Sequence, residues 1–297
     1  MKFALAQATR IGGRADNEDR VGHWSTPEAA LMVVADGLGG HLHGEVAADI
    51  AVELLGAAFL REAQPRVEDP AAFLARALGA AHAAILREGQ RLDLPETPRT
   101  VIVACLVQDG HACWTHVGDC RLYLIREGRI VTRTRDHTVV QQLLDQGRIR
   151  EEAISSHPER NRLLQCLGGY VDPDGQPAQR ARLAKGDVLL LCSDGFWGPL
   201  TQRQMVHALV SRELGVAVPE LAELAELRAG LGADNVTAVA MAWGEEAVGS
   251  DAVPPEERTV IQDFSATDLD FGRMSDEDVE RAIEELRAAL RRSRESQ

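Results

Sequence analysis

The chain has 297 residues, 45% of them apolar and 26% charged, and a formal net charge of −14 from 32 basic and 46 acidic residues. That length can bury one large core or two modest ones. The acidity and the lack of a basic run disfavour a nucleic-acid partner, no apolar stretch is long enough to span a membrane, and Met1–Arg10 has neither the basic nor the long apolar region of a signal peptide.

In chain order, a short strand is expected around Val21–Trp24 and a second over Leu31–Ala35. Two long segments follow with helical character. One is Gly44–Arg61, and the other is Pro70–Glu88 with Asp69 placed to cap it. Apolar, β-branched runs then mark strands at Val101–Val107, Ala112–Val117 and Leu122–Ile125. The last two, joined by Gly118-Asp119-Cys120-Arg121, read as a hairpin. Residues 148–182 are polar and contain Ser155-Ser156-His157-Pro158 and Gly168-Gly169, the composition of a long loop. A strand at Val188–Cys192, helices at Gln202–Ser211 and Glu220–Ala229, and a strand at Val236–Trp243 complete the main part. Strands grouped with strands, and helices with helices, predict an α+β sandwich rather than a parallel βαβ fold.

The text changes near residue 244, so residues 1–244 are expected to form the main domain. Residues 245–274 are acidic, include Pro254-Pro255 and read as linker. Residues 275–292 open with Ser275-Asp276-Glu277-Asp278, and Val279, Ala282, Ile283, Leu286, Ala289 and Leu290 recur at helical spacing. This predicts an amphipathic helix that packs on its own domain or docks on a partner. The five cysteines form no Cys-x-x-Cys pair and lie mainly in apolar segments, so they read as small buried hydrophobes in a cytoplasmic protein.

Acids repeatedly stand where a strand stops or starts. Asp36-Gly37 follows Leu31–Ala35, Asp119 follows Val117-Gly118, Asp194-Gly195 follows Val188–Cys192, and Asp234-Asn235 precedes Val236. Glu18-Asp19 precedes the first strand. Each alone is ordinary turn chemistry. Together they can converge on one sheet edge, where mutual repulsion is tolerable if cations lie between them. Hard oxygen donors suit Mg²⁺ or Mn²⁺ better than Zn²⁺.

Five ordered segments carry a resemblance: Arg14-Ala15-Asp16-Asn17-Glu18-Asp19, Val33-Val34-Ala35-Asp36-Gly37-Leu38-Gly39-Gly40-His41, Val117-Gly118-Asp119-Cys120-Arg121, Leu191-Cys192-Ser193-Asp194-Gly195 and Asp234-Asn235-Val236-Thr237. In this order the chain resembles the bacterial type 2C protein phosphatases of the PPM family, from about residue 5 to 243. The resemblance implies an αββα sandwich, two antiparallel sheets flanked by helices. It implies a protein serine/threonine phosphatase that hydrolyses phosphoserine and phosphothreonine by direct attack of a water bridging two Mg²⁺ or Mn²⁺ ions. Asp36 would bridge the pair, Asp194 and Asp234 would complete one site, and the Gly37 carbonyl would help form the other. Glu18 and Asp19 would act through bound waters. Asp119 with Asp194 would hold a third ion, and Arg14 would clamp the phosphate. His41 is a candidate proton donor, since Leu38 replaces the histidine some members carry. The 148–182 segment takes the place of the family's flap, and phosphoprotein substrates of a bacterial Ser/Thr kinase are the implied partners. The usual Met-Gly-Thr is replaced by Thr97-Pro98-Arg99-Thr100, which puts local backbone contacts in question.

Two other readings compete. A binding protein of the same fold, a pseudophosphatase, predicts lost ligands, yet Asp36, Asp194, Asp234 and Arg14 all stand. A metal-dependent nuclease predicts a basic groove, which the composition disfavours.

Overall fold

The computed structural model describes residues 1–38, 43–150, 153, 157–170, 172 and 178–244. His41, the expected linker 245–274 and the expected helix 275–292 lie outside the described residues.

Two five-stranded antiparallel sheets carry the fold. The first contains β1 (Phe3–Arg10), β6 (Arg121–Arg126), β7 (Arg129–Arg133), β9 (Val188–Cys192) and β10 (Val236–Trp243), in the order β1-β10-β9-β6-β7. The second contains β2 (Asp19–Ser25), β3 (Ala29–Gly37), β4 (Thr100–Gln108), β5 (His111–Val117) and β8 (Gln179–Arg182), in the order β2-β3-β4-β5-β8. Met32, Val34, Val103 and Trp114 of one sheet pack with Leu122, Leu124, Leu189, Leu191 and Met241 of the other, all essentially without solvent access. Strands buried on both faces read as continuous apolar runs, which is why β3, β4 and β9 are so legible.

Helices cover the outer faces. α1 (Gly44–Glu62) lies on β2, β3 and β4, with α2 (Pro70–Arg91) against it. The Asp69 carboxylate accepts from the backbone N–H groups of Ala71 and Ala72 at 2.9 and 3.1 Å, which caps α2 as expected. Over the first sheet lie α4 (Asp194–Trp197), α5 (Gln202–Ser211) and α6 (Leu214–Ala229), where Phe196, Met205, Leu209 and Leu221 bury against Leu190 and Tyr123. A further helix, α3 (Val139–Asp145), follows β7. This is the expected α+β architecture.

The expected hairpin is wrong. β5 pairs with β4 and β8, and β6 pairs with β7 and β9, so the chain crosses from one sheet to the other at Gly118-Asp119-Cys120. Gly118 has φ +99°, and a Cβ there would lie 2.1 Å from Val101 Cγ1, so only glycine fits the crossing. The crossing matters for function, because it sets Asp119 between the two sheets.

All five cysteines are free, and Cys105, Cys113, Cys120 and Cys192 are buried. Burial pushes the Cys120 thiol well above its ordinary range, which suits a packing role rather than a nucleophilic one. No helix among the described residues is long and apolar enough to cross a membrane.

Candidate active site

Four aspartates far apart in sequence line one pocket of about 340 Å³ at an end of the sandwich. Asp36 ends β3, Asp119 sits in the crossing after β5, Asp194 opens α4 after β9, and Asp234 precedes β10. Arg14, Glu18, Gly37, Leu38, Asn161 and Leu163 also line it. Asp19, buried, stands opposite Asp36 in the β2–β3 register. Every described residue expected at the site is therefore in or against this pocket.

Local geometry follows from small residues and polar staples. A Cβ on Gly37 would come within 2.5 Å of the Gly44 backbone, so two glycines let the end of β3 touch the start of α1. Thr100 Oγ1 donates to the Asp36 carbonyl at 2.7 Å, and the Leu38 N–H donates to the Arg99 carbonyl at 3.0 Å. The divergent Thr97–Thr100 segment thus supplies its own backbone contacts. The Glu18 N–H donates to Asn235 Oδ1 at 2.8 Å, while Asn235 Nδ2 donates to the carbonyls of Ile11 and Asp16 at 2.8 and 3.0 Å. Asn235 so clamps the loop that carries Arg14 and Glu18. Ser193 Oγ donates to Asp19 Oδ2 at 2.8 Å and accepts from the Thr237 N–H at 3.1 Å. Sequence reading gave no role to Asn235 or Ser193. Their signal was position alone, each flanking a candidate acid.

The acids share one pocket, and their charges act on one another. Burial raises Asp36 well above the usual carboxylate range, and the charges of Asp19, Asp194, Asp119 and Asp234 push it further. Burial and the charge of Asp194 do the same to Asp119. Asp194 is raised by burial and by the charge of Asp234, with a hydrogen bond from the Gly195 backbone working against the rise. At the rim, Arg14 Nη2 donates to Asp234 Oδ2 at 2.7 Å, both side chains about half exposed.

Buried carboxylates that repel one another call for a cation. Glu18 Oε2 and Asp19 Oδ1 are buried and make no hydrogen bond among the described residues, a costly arrangement unless something cationic or a cation's water shell approaches. Among those residues no three His, Cys, Asp or Glu side chains stand close enough together to hold one ion by themselves. Mg²⁺ does not need such a group, because it keeps several waters and takes one or two carboxylates. The oxygen-only donor set fits divalent ions of this kind.

Two stacked antiparallel sheets with helices outside and an acidic pocket at one end define the type 2C phosphatase class. Residues 6–226 match the sequence model of protein phosphatase 2C, and the chain belongs to that family. The serine/threonine protein phosphatase PstP of Mycobacterium tuberculosis is 38% identical over 227 residues, covering 76% of this chain. The chain spans only 42% of that relative's length. A putative protein phosphatase 2C-type of Streptococcus pyogenes is 31% identical, covering 80% of this chain and 95% of the relative. The structure of the PstP catalytic domain in complex with two manganese ions superposes with a TM-score of 0.68 at 32% identity, over 81% of this chain and 97% of that one.

Proposed function

We propose that the chain is a phosphoprotein phosphatase that removes phosphate from phosphoserine and phosphothreonine with Mg²⁺ or Mn²⁺. The observation that carries this is the convergence of Asp36, Asp119, Asp194 and Asp234 from four separate segments on one pocket, with Arg14 at its rim. Asp36, Asp194, Asp234 and the Gly37 carbonyl would hold two ions, and Asp119 with Asp194 a third. Glu18 and Asp19, each with a buried unpartnered oxygen, would bind waters of the ion shell. When bound, such a pair lowers the pKa of a shared water and offsets charge on the phosphate.

The remaining chemistry belongs to the chain. Arg14 presents a planar fork that matches phosphate oxygens, which a lysine does not offer. Its partner in this structure is Asp234, so substrate phosphate would compete for the same guanidinium. The half-exposed position allows that exchange. The hydrogen bonds of Asn235 keep the Arg14 loop in place while the partner changes. Phosphoproteins made by a bacterial Ser/Thr kinase in the cytoplasm are the natural substrates on this reading.

The test is hydrolysis of p-nitrophenyl phosphate by the full chain with Mn²⁺, with and without chelator. Turnover that needs Mn²⁺ and stops with chelator is expected. Well-folded protein with no turnover would point instead to a non-catalytic binding protein.

Arg14→Ala should raise KM for phosphopeptides about 10- to 100-fold, the equivalent of one or two charge-assisted hydrogen bonds. kcat should change less. An unchanged KM in steady-state kinetics would remove Arg14 from phosphate binding.

A further inference from the structure

A second cavity, of about 310 Å³, adjoins the acidic pocket. One segment of chain divides them. Asn161 and Leu163 face the acidic pocket, while Leu164 and Gln165 line the second cavity. The dividing segment is pinned from behind. The Val139 N–H donates to the Arg162 carbonyl at 2.9 Å, and the Leu164 N–H donates to the His137 carbonyl at 2.7 Å. The cavity is also tied to the sheet crossing, since the Gly118 N–H donates to His137 Nδ1 at 3.2 Å and the His137 N–H donates to the Gly118 carbonyl at 2.8 Å.

The lining is part apolar and part polar, and it carries no unpaired charge. Its two aspartates are already paired, Asp136 with Arg121 and Asp145 with Arg135. What remains is a set of uncharged donors and acceptors, chiefly Gln142 and Gln179 with His116 and His137. Burial pushes both imidazoles down, His137 to about 4, so both are neutral near pH 7. Their hydrogen bonds then fix the tautomers. His116 Nε2 faces the Arg135 carbonyl at 2.7 Å and must be its donor, leaving Nδ1 as an acceptor. His137 Nδ1 accepts from Gly118, leaving Nε2–H as a donor.

A metal ion fits poorly here. The two rings are stacked, with centroids 4.4 Å apart and planes 20° from parallel, so their in-plane lone pairs cannot meet at one ion. One of those lone pairs is also spent on Gly118. An anion would find no unpaired charge in the wall. A group offering both a donor and an acceptor without charge matches what the wall presents.

We propose that this cavity is a substrate subsite that takes an uncharged hydrogen-bonding side chain, asparagine or glutamine above all, of a phosphoprotein whose phosphoresidue lies in the acidic pocket. The inference rests on the phosphatase reading above and adds the substrate feature that reading lacks. An extended peptide advances about 3.3 Å per residue and a single chain is about 5 Å thick, so about two residues cross the dividing segment. Asn161, Arg162 and Leu164 on that segment are exposed and available to the peptide as it crosses.

The experiment uses the full chain with Mn²⁺ and phosphothreonine peptides varied one position at a time among Asn, Gln, Leu, Glu and Lys. p-Nitrophenyl phosphate serves as a substrate too small to reach the second cavity. The wild-type protein should favour Asn or Gln at one position, about tenfold in kcat/KM over Leu or Glu. Gln142→Ala combined with Gln179→Ala, both exposed positions, should flatten that preference, and Gln142→Glu should shift it toward Lys. Neither change should alter p-nitrophenyl phosphate hydrolysis. A flat wild-type profile, or a preference that survives the double variant, would overturn the subsite while leaving the phosphatase intact. Absence of p-nitrophenyl phosphate turnover in the wild type would sink the phosphatase reading and the subsite with it.

Discussion

Asp36→Asn should lower Mn²⁺-dependent hydrolysis of p-nitrophenyl phosphate by about a thousandfold or more while leaving the metal-free protein folded. The size follows from what the carboxylate is asked to do. Charge stabilisation by bound ions amounts to several kcal/mol at the transition state, and each 1.36 kcal/mol is a factor of ten. Asparagine keeps the shape and one oxygen but removes the charge at the centre of the cluster. Folding should be spared, since the Asp36 carbonyl, not its side chain, receives the bond from Thr100. Loss of one buried charge should also ease the repulsion among Asp19, Asp119, Asp194 and Asp234. A second readout separates binding from chemistry. Ions that bind only the folded state raise the melting temperature. Mn²⁺ should therefore stabilise the wild type and stabilise Asp36→Asn far less. A variant with wild-type turnover and an undiminished Mn²⁺ shift would show that the acids hold no ion.

The acids were legible because each sits at a strand end that the sequence marks twice, by an apolar run and by a turn dipeptide. What the sequence hides is pairing across distance. β5 and β6 are neighbours in the chain, yet each finds its partners elsewhere, and no local signal says that the turn between them changes sheet. β8, with the sequence Gln179-Arg180-Ala181-Arg182, has no strand pattern of its own and exists because the edge of β5 offers it hydrogen bonds. β1 and β7 are also edge strands, half exposed and weakly apolar. α6 begins at Leu214 rather than Glu220, because Pro219 is accommodated inside it, where the usual rule ends a helix. α3 opens with Val139-Val140 and so resembles a strand, although Thr138 Oγ1 caps it by accepting from the Gln141 N–H at 3.2 Å. The supports of the site were hidden for the same reason. Ser193 meets Asp19 across 174 residues, and Asn235 meets Glu18 across 217.

One such long-range support carries the second large effect. Asp136→Ala should destabilise the protein by about 3–5 kcal/mol, the usual cost of stranding one member of a buried ion pair. Arg121 and Asp136 are both almost wholly buried. Their bond is bidentate, with Nε donating to Oδ1 at 2.8 Å and Nη2 to Oδ2 at 2.6 Å. The third nitrogen, Nη1, donates to the Tyr123 hydroxyl at 3.1 Å. The guanidinium also lies over the Trp197 ring, 3.3 Å from its centroid, and Trp197 Nε1 donates to the Asp119 carbonyl at 3.1 Å. Removing the carboxylate leaves a buried cation with no counter-charge and loosens the stack that holds the Asp119 turn. For a chain of this size each kcal/mol moves the melting temperature about 2–4 °C, so a fall of about 10 °C is expected by calorimetry. Replacing both partners with apolar residues, Arg121→Met and Asp136→Leu together, should recover much of the loss, because no charge is then stranded. Turnover should not recover with it, since neither apolar residue restores the guanidinium stack that seats Trp197 against Asp119. A single Asp136→Ala variant that melts within about 2 °C of the wild type would show that water reaches the pair and that Asp119 is held by something else.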